Sequence, residues 1–480
     1  MSSEQTQTTE PTNTEPQTVE TATEQVPAEP AEGRTAIPKT RAFADYIGSG
    51  WADRTRDLPS LRPLAADAAR RRQQLSARHT GKRLVIGAGD AKVRSNDTDF
   101  PFRAHSAFSW LTAWGADSEP GAVLVFQPNG DAHDVTLHFT PAAGRDTDEF
   151  YANAAVGEFW VGPRPTLEQV GADLGLATAA LTDFLPGDDD VTIDDPELAR
   201  DLSEARLVKD AGEIDQLRAA IAATADGFGD ILRALPAITA HPRGERVIEG
   251  TFFGRARADG NDLGYSTIAA SGPHACILHW TRNDGAVRPG DLVLIDAGVE
   301  LPSLYTADIT RTIPVGGRFT PVQRQVYEAV REAADAAFAI VRPGVKFRQV
   351  HATAMEVIAR RTAEWGLPLP GTALSDGLDG QAHRRYMVHG TSHHLGLDVH
   401  DCAAARRELY LDAEIRAGMI FTIEPGLYFQ PDDLTVPEQF RGIGVRIEDD
   451  VLVTDDGAEN LSAAIPRTAD DVEAWVASAR

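Results

Sequence analysis

Apolar residues in the first half of the chain occur in short runs bounded by turn-forming residues. The runs LVIGAG from Leu84, AVLVFQP from Ala122 and DVTLHF from Asp134 favour strands, and glycine, proline and aspartate separate them. The stretch LAADAARRRQQLSARH before Thr80 favours a helix. This alternation predicts an α/β domain over residues 41–205.

Longer segments with helical periodicity follow. Apolar residues recur every three or four positions over 210–235, which predicts a helix that Pro236 should end. Thr320 and Pro321 provide an N-cap and a first-turn proline for a helix to about 341, and a further helix is predicted over 347–366. The helix over 210–235 marks the opening of a second domain, which we place at residues 206–480.

Four further runs in this second domain predict strands, and every candidate for chemistry lies in or beside one of them. The runs are DLVLIDAGV from Asp291, DITRTIPV from Asp308, MIFTIEPGLY from Met419 and GVRIEDDVLVT from Gly444. Helices and strands together predict a mixed α/β (α+β) fold.

Length and charge indicate the number of domains and the kinds of partner that the chain can bind. A chain of 480 residues exceeds the usual size of a single core, so two domains are expected. The net charge of −26 disfavours nucleic acid and anionic membrane surfaces as partners. Residues 1–40 hold seven glutamates and two basic residues with few large apolar side chains, so an acidic, disordered tail is expected there.

The chain is expected to be cytoplasmic. It contains no run of eighteen apolar residues, and its first residues lack the basic and apolar stretches of a secretory signal. Cys276 and Cys402 are too few for a disulfide framework, so we expect two buried thiols in a reducing compartment.

The densest cluster of reactive side chains is the segment HGTSHHLGLDVHD, from His389 to Asp401. Its four histidines and two aspartates alternate with apolar residues, and Gly390 and Gly396 allow close approach of the backbone. This pattern favours a buried metal or proton-transfer site over a surface histidine tract. A hydrogen-bonded histidine cluster in the core is the alternative.

Four carboxylates, Asp296, Asp308, Glu424 and Glu448, are embedded in the predicted strands. A buried carboxylate needs a counter-charge or a cation, and two adjacent antiparallel strands could bring the two aspartates together. Each acid alone could form a salt bridge, for example with Arg311 or Arg446. Together with a histidine they form a ligand set for two divalent ions, Mn²⁺ or Co²⁺ rather than thiolate-bound zinc, and such a pair of ions promotes hydrolysis.

Five motifs in order resemble those of the pita-bread metallopeptidases, most closely the aminopeptidase P family of Xaa-Pro aminopeptidases. The motifs are ACILHW, DAG followed by TADITRT, HGTSHHLGLDVHD, TIEPGLY and RGIGVRIEDD, and the resemblance runs from about Leu207 to the C-terminus. It implies a C-terminal domain with a curved antiparallel sheet flanked by helices. The N-terminal domain resembles, less specifically, the one that precedes the catalytic domain in aminopeptidase P and prolidase.

The resemblance also implies roles for individual residues. The ligands of two metal ions, Mn²⁺ in the first place with Co²⁺ or Zn²⁺ as alternatives, would be Asp296, Asp308, His393, Glu424 and Glu448. The active site would be lined by His279, His389 and His400 and supported by Arg446 and Tyr428, whereas His394 is left out. In the N-terminal domain, Trp110, Trp114 or Arg164 would reach a neighbouring subunit's site, although ordinary core packing is the favoured interpretation for these residues.

One departure concerns the two aspartates. Asp296 and Asp308 are twelve positions apart, and the family usually has eleven. We expect the extra residue in the turn through Pro302 and Ser303, because a bulge within a strand would alter the ligand geometry.

The implied activity is release of the N-terminal residue from peptides with proline in the second position, by a homo-oligomer, either a dimer or a tetramer. Glu424 would take a proton from the attacking hydroxide and deliver it to the leaving proline nitrogen. A Xaa-Pro dipeptidase (prolidase) is the main alternative. Metal-free creatine hydrolysis and a non-catalytic binding module are weaker ones, because all five ligand positions hold ligating residues.

Overall fold

The computed structural model describes residues 37–38, 40–55, 57–96, 98–368 and 381–479. Nearly all of the predicted acidic tail, residues 1–40, lies outside the described residues. The predicted boundary between residues 205 and 206 falls between two helices, and it stays a prediction.

The N-terminal region is built on a five-stranded mixed sheet. Its helices are α1 (Arg41–Gly48), α2 (Ala65–Arg78), α3 (Ser106–Thr112), α4 (Glu149–Ala152), α5 (Glu158–Val161), α6 (Leu167–Leu174) and α7 (Pro196–Ala205). Its strands are β1 (Leu84–Gly87), β2 (Val93–Ser95), β3 (Thr98–Asp99), β4 (Val123–Asn129), β5 (Ala132–Phe139), β6 (Ala177–Ala180) and β7 (Val191–Thr192). The sheet order is β6-β5-β4-β1-β7, with β4 antiparallel to both of its neighbours and the two edge strands parallel to theirs.

The C-terminal region combines long helices with short antiparallel sheets. Its helices are α8 (Ala211–Ala240), α9 (Gly244–Asp259), α10 (Pro321–Ala339), α11 (Phe347–Glu364), α12 (Arg407–Tyr410) and α13 (Ala469–Ser478). Its strands are β8 (Asp262–Leu263), β9 (Ile268–Ser271), β10 (Leu292–Ala297), β11 (Val299–Glu300), β12 (Ile309–Pro314), β13 (Ile420–Ile423), β14 (Gly426–Tyr428), β15 (Gly444–Arg446), β16 (Asp449–Val453) and β17 (Ala458–Asn460). The sheets are β12-β10-β9, β13-β16-β17, β14-β15 and β11-β8, and all of these pairs are antiparallel.

Strands β10 and β12 pair through six successive residues without a register shift, and Asp296 lies opposite Thr310. The chain between them turns through Pro302 and Ser303. The uninterrupted ladder is what the turn explanation of the aspartate spacing requires, and it leaves both aspartates at the same end of the strand pair.

Helix α8 differs from the prediction at its C-terminal end, where it continues through Pro236 to Ala240. Proline cannot donate the hydrogen bond that would run to the carbonyl of Leu232. The hydroxyl of Thr239 donates to the carbonyl of Leu235 at 2.9 Å, and Ile238 is fully buried. Packing of this last turn outweighs the cost of the proline, so the prediction that Pro236 ends the helix was wrong.

Helix α10 begins as predicted. The Thr320 hydroxyl accepts a hydrogen bond from the backbone N–H of Gln323, whose side chain accepts one from the Thr320 N–H. This reciprocal pair satisfies two N–H groups that a helix leaves unpaired at its start. Helix α11 likewise begins at the predicted residue and ends at Glu364.

Trp110 and Trp114 are buried in the core of the N-terminal region, which confirms the core interpretation for both. Arg164 pairs with Glu119 at 2.8 Å within the same region. Cys276 and Cys402 are buried free thiols, and burial raises the pKa of each to about 12. Within the described ranges, no helix has both the length and the apolar character needed to cross a lipid bilayer.

Candidate active site

Of the ten residues that the resemblance implies for the site, Tyr428 lies outside the cavity, 2.7 Å from His389, and the other nine line one cavity of about 560 Å³. They are His279, Asp296, Asp308, His389, His393, His400, Glu424, Arg446 and Glu448. Because these residues span 170 positions of the sequence, the fold brings them together from several strands and loops. Tyr265, Ile268, Leu278 and Val399 add an apolar part to the cavity wall.

Four carboxylates and one imidazole form the floor of the cavity; we call Asp296, Asp308, His393, Glu424 and Glu448 the acid centre. His393 Nε2 lies 3.3 Å from Asp308 Oδ2 and 3.7 Å from Glu424 Oε1. One ligand atom from each of Asp308, His393 and Glu448 lies within 4.8 Å of the other two. Such a group of oxygen and nitrogen donors suits a divalent cation.

The backbone fixes the acid centre at the ends of paired strands. Asp296 lies in β10 and Asp308 directly precedes β12, while Glu424 connects β13 to β14 and Glu448 connects β15 to β16. The Glu448 N–H donates to the carbonyl of Thr310 at 3.1 Å, and the Thr310 hydroxyl donates to Glu448 Oε2 at 2.6 Å. These bonds hold Glu448 against the strand that follows Asp308.

Asp296 has two further partners in the cavity wall. Its Oδ2 forms a hydrogen-bonded ion pair with Arg446, and its Oδ1 accepts a 2.6 Å hydrogen bond from the Tyr265 hydroxyl. Arg446 Nε also donates to the Thr310 hydroxyl at 3.0 Å. The alternative of a salt bridge to Arg446 is therefore realised at Asp296, whereas Arg311 pairs with Asp449 at 2.7 Å.

The electrostatics of the acid centre show a surplus of negative charge. Burial and the neighbouring carboxylates raise the pKa of Glu448 well above its usual range, and burial raises the pKa of Glu424 to about 7. Burial alone would lower the pKa of His393, but the hydrogen bond to Asp308 and the charge of Glu424 raise it to about 9. Three buried acids and the partly buried Glu424, which share Arg446 and the imidazoles, fit a site for additional cations.

Three further histidines surround the acid centre. His389 Nδ1 lies 2.6 Å from the carbonyl of Gly390 and 3.5 Å from Glu424 Oε2, while its Nε2 lies 2.7 Å from the Tyr428 hydroxyl. A neutral ring with its hydrogen on Nδ1 satisfies these contacts, and burial together with Arg446 lowers the pKa of His389 to about 3. The ring of His400 lies edge-on to His393 with centroids 4.2 Å apart, and His279 reaches the cavity from the loop between β9 and β10.

His394 is a core residue. It is buried, its ring stacks on Phe347 with centroids 4.7 Å apart, and it does not appear among the residues that line the cavity. Burial lowers its pKa to about 3, which keeps the ring neutral. This position fits a packing role, and the omission of His394 from the site stays a prediction.

Sequence reasoning missed three residues that contact the acid centre: Tyr265, Thr310 and Asp450. Asp450 is buried and accepts a 3.2 Å hydrogen bond from the backbone N–H of Asp308. Thr310 and Asp450 lie inside two of the motifs quoted above, but tyrosine, threonine and a second aspartate are common residues without a distinctive spacing. Proximity in the sequence to Asp308 and Glu448 could have indicated Thr310 and Asp450, whereas no local pattern indicates Tyr265.

The fold and the cavity together define a two-domain metal-dependent hydrolase. Comparison with known proteins gives its family. The model of metallopeptidase family M24 matches residues 215–455, and the model of the aminopeptidase P N-terminal domain matches residues 68–187. The chain belongs to the M24 metallopeptidases, with the domain arrangement of aminopeptidase P, which confirms the predicted fold and the resemblance.

The relatives in this family are similar over most of their length. Xaa-Pro aminopeptidase 1 of Streptomyces coelicolor is 48% identical over 466 residues, which cover 91% of this chain and 92% of the relative. The Xaa-Pro aminopeptidase of Escherichia coli is 35% identical over 452 residues, which cover 86% of this chain and 97% of the relative. Among solved structures, a zinc-substituted Escherichia coli aminopeptidase P in complex with product has a TM-score of 0.74 at 30% identity, covering 88% of this chain and 100% of that one.

Proposed function

We propose that this enzyme is an exopeptidase that releases the N-terminal residue from peptides with proline in the second position. The observation that carries the proposal is the single cavity in which all the predicted ligating and catalytic side chains meet. The names of the relatives, which match nine-tenths of the chain at close to half identity, support the same activity.

The acid centre is the proposed metal site. Asp296, Asp308, His393, Glu424 and Glu448 supply enough oxygen and nitrogen donors for two divalent ions, and the carboxylate-rich set favours Mn²⁺, with Co²⁺ or Zn²⁺ as alternatives. The shared ligand cluster at Asp308, His393 and Glu448 supports this assignment. When bound, such ions activate a water molecule and polarise the carbonyl of the bond that is cleaved.

Glu424 is the proposed proton carrier. It borders the cavity between His389 and His393, at 3.5 Å and 3.7 Å, so its carboxylate faces the space where a peptide bond would bind. From there it can accept a proton from water and deliver it to the leaving proline nitrogen. The short contact between His389 Nδ1 and the Gly390 carbonyl keeps that imidazole oriented toward Glu424.

The remaining residues orient and stabilise the substrate. His279 and His400 line the cavity and can donate hydrogen bonds to the carbonyl oxygen on which negative charge develops. Arg446 holds Asp296 by an ion pair, and Tyr428 connects Arg446, at 3.3 Å, to His389. The free amine of the substrate would bind near Asp296.

A peptide panel tests the activity. The metal-loaded enzyme should cleave a tripeptide with proline in the second position and leave the matching tripeptide with alanine there intact. Cleavage that ignores the second residue would contradict the proposal. Rapid hydrolysis of Ala-Pro beside slow hydrolysis of longer Xaa-Pro peptides would instead identify the dipeptidase alternative. A cytoplasmic location and a homo-oligomeric assembly, dimer or tetramer, remain predictions.

A further inference from the structure

We infer that Glu245 is a positioning residue that holds His279 in the cavity. Residues 272–285 form a loop between β9 and β10, and His279 lies near its middle. We call this segment the His279 loop. Glu245 lies in the first turn of α9, outside the cavity, and its side chain is fully buried.

Each carboxylate oxygen of Glu245 accepts two hydrogen bonds from the His279 loop or its immediate neighbour. Oε1 accepts from the backbone N–H of Ser271 and from His274 Nδ1, both at 2.8 Å. Oε2 accepts from Trp280 Nε1 at 2.9 Å and from the backbone N–H of Gly285 at 2.6 Å. One side chain thereby joins both ends of the loop to the residue that directly follows His279.

Neighbouring contacts leave the loop little freedom around this carboxylate. The ring of Trp280 stacks on His274 with centroids 3.9 Å apart, and the Glu245 N–H donates to the carbonyl of Gly285 at 3.1 Å. A side chain at position 285 would meet Glu245 and His274 at 2.8 Å, so glycine is required for this close approach. The side chain of Asn283 connects the same loop to β9. Its amide oxygen accepts a hydrogen bond from the Ala269 N–H at 3.0 Å, and its amide nitrogen donates one to the carbonyl of Thr267, just before β9, at 2.9 Å.

Four hydrogen bonds to one buried carboxylate form a rigid support rather than a surface contact. The hydrogen bond from the Trp280 indole to Glu245 fixes the orientation of the backbone at residue 280. Because His279 directly precedes Trp280, the same bond fixes the direction in which the His279 side chain points. This inference rests on the proposed role of His279 in peptide hydrolysis. It states that the contribution of His279 to hydrolysis depends on the side chain of Glu245.

The test compares E245Q with a matched variant, E213Q. Glu213 is also buried and accepts hydrogen bonds from the indole of Trp110 at 3.1 Å and from the Tyr305 hydroxyl at 2.9 Å, but it does not line the cavity. In each variant an amide N–H₂ replaces one accepting oxygen, so both should lose thermal stability. We expect kcat/KM on a Xaa-Pro tripeptide to fall about tenfold to a hundredfold, mainly through kcat, in E245Q and to stay within about twofold in E213Q.

A double-mutant cycle with H279A separates positioning from general destabilisation. If Glu245 acts through His279, E245Q should lower kcat/KM in the wild-type background and have little further effect in H279A. Equal losses in both backgrounds would overturn the inference. W280F, which keeps the ring and removes the indole donor, should give a smaller loss in the same direction, and it provides the cycle if E245Q does not fold.

Hydrogen exchange gives a readout that is independent of turnover. Peptides covering residues 272–285 should exchange faster in E245Q, or in W280F, than in the wild type or E213Q. Unchanged exchange in this loop would overturn the inference even if activity falls. Wild-type enzyme that fails to cleave Xaa-Pro peptides would instead count against the proposed function, while the exchange experiment would still decide the role of Glu245.

Discussion

The histidine-rich segment contributes residues to two clusters of buried charge, one with enough positive partners for its carboxylate and one with too few. In the first cluster, which we call the paired cluster, Asp401 has two cationic partners, Lys209 Nζ at 2.9 Å and Arg206 at 3.0 Å, and all three side chains are buried. In the acid centre, four carboxylates share Arg446 and nearby imidazoles. Both clusters lie in the same protein interior, so the difference between them is one of counter-charge.

The carboxyl pKa values show the same contrast. Burial alone would raise the pKa of Asp401, but Lys209 and Arg206 hold it well below its usual range. Burial and neighbouring carboxylates raise the pKa of Glu448, and burial likewise raises that of Asp296 despite the ion pair with Arg446. Removing one partner of a paired buried acid destabilises the folded chain, whereas a surplus of buried acids favours the binding of a cation.

The largest effect is expected from removing the proposed proton carrier in the acid centre. E424Q should lower kcat by about 10² to 10⁴, because the amide cannot accept the proton. Steady-state hydrolysis of a Xaa-Pro tripeptide at saturating Mn²⁺ measures this effect. Retention of more than about 1% of the wild-type rate in a folded, metal-loaded variant would be incompatible with the role given to Glu424, since a general base contributes at least about a hundredfold.

Breaking the paired cluster should instead cost stability. D401N leaves Lys209 and Arg206 buried without their shared carboxylate, so the free energy of unfolding should fall by about 3–5 kcal/mol, as measured by urea denaturation. Because the pKa of Asp401 is lowered in the folded state, its stabilisation is present above the unfolded value of about 3.9. It is lost as the pH falls through the folded value. A variant as stable as the wild type at pH 7 would show that the pairing is unimportant.

Replacing an acid by its amide in the acid centre should raise the free energy of unfolding, whereas the same replacement in the paired cluster lowers it. In metal-free protein, E448Q replaces an acid that is costly to ionise beside three others with a neutral amide, so the free energy of unfolding at pH 7 should rise by on the order of 1 kcal/mol. The sign follows because an acid with a raised folded pKa costs stability above its unfolded pKa of about 4.3. Destabilisation comparable to that of D401N would mean that the acid centre is already neutralised without a metal ion.

An effect of similar size is expected at the edge of the acid centre. Y265F removes the hydroxyl that donates to Asp296, and it should weaken metal binding by about tenfold, because such neighbours orient and tune a ligating carboxylate. Y305F is the matched control, since its hydroxyl donates to Glu213. Calorimetric titration of metal-depleted protein compares the two. Equal metal affinities of the two variants would show that the Tyr265 hydroxyl does not contribute to metal binding.

Sequence reasoning succeeded where local chemistry determines structure. The N-cap at Thr320 and the acids that interrupt apolar strands at Asp296 and Glu424 were recognisable from neighbouring residues alone. It failed where distant contacts decide the outcome. Pro236 stays helical because Ile238 is buried by packing, and Tyr265 matters because folding places it against a residue 31 positions away.

Glu245 shows the limit most clearly. From the sequence alone, an acid in the first turn of a helix is expected to be an exposed residue that interacts favourably with the helix dipole. Its burial and its four hydrogen bonds depend on a loop about thirty residues further along the chain. No local pattern contains that information, so residues that support a site from outside the cavity are the hardest to predict.

Metal binding to the acid centre tests the central claim most directly. Calorimetric titration of metal-depleted enzyme with Mn²⁺, checked by elemental analysis of the dialysed protein, should give about two ions per chain in the wild type. The D308N variant should bind fewer ions or bind them more weakly, and D401N should keep the wild-type stoichiometry, since ligand number determines how many ions a site holds. A wild-type enzyme that hydrolyses Xaa-Pro peptides yet binds no divalent ion would contradict the account.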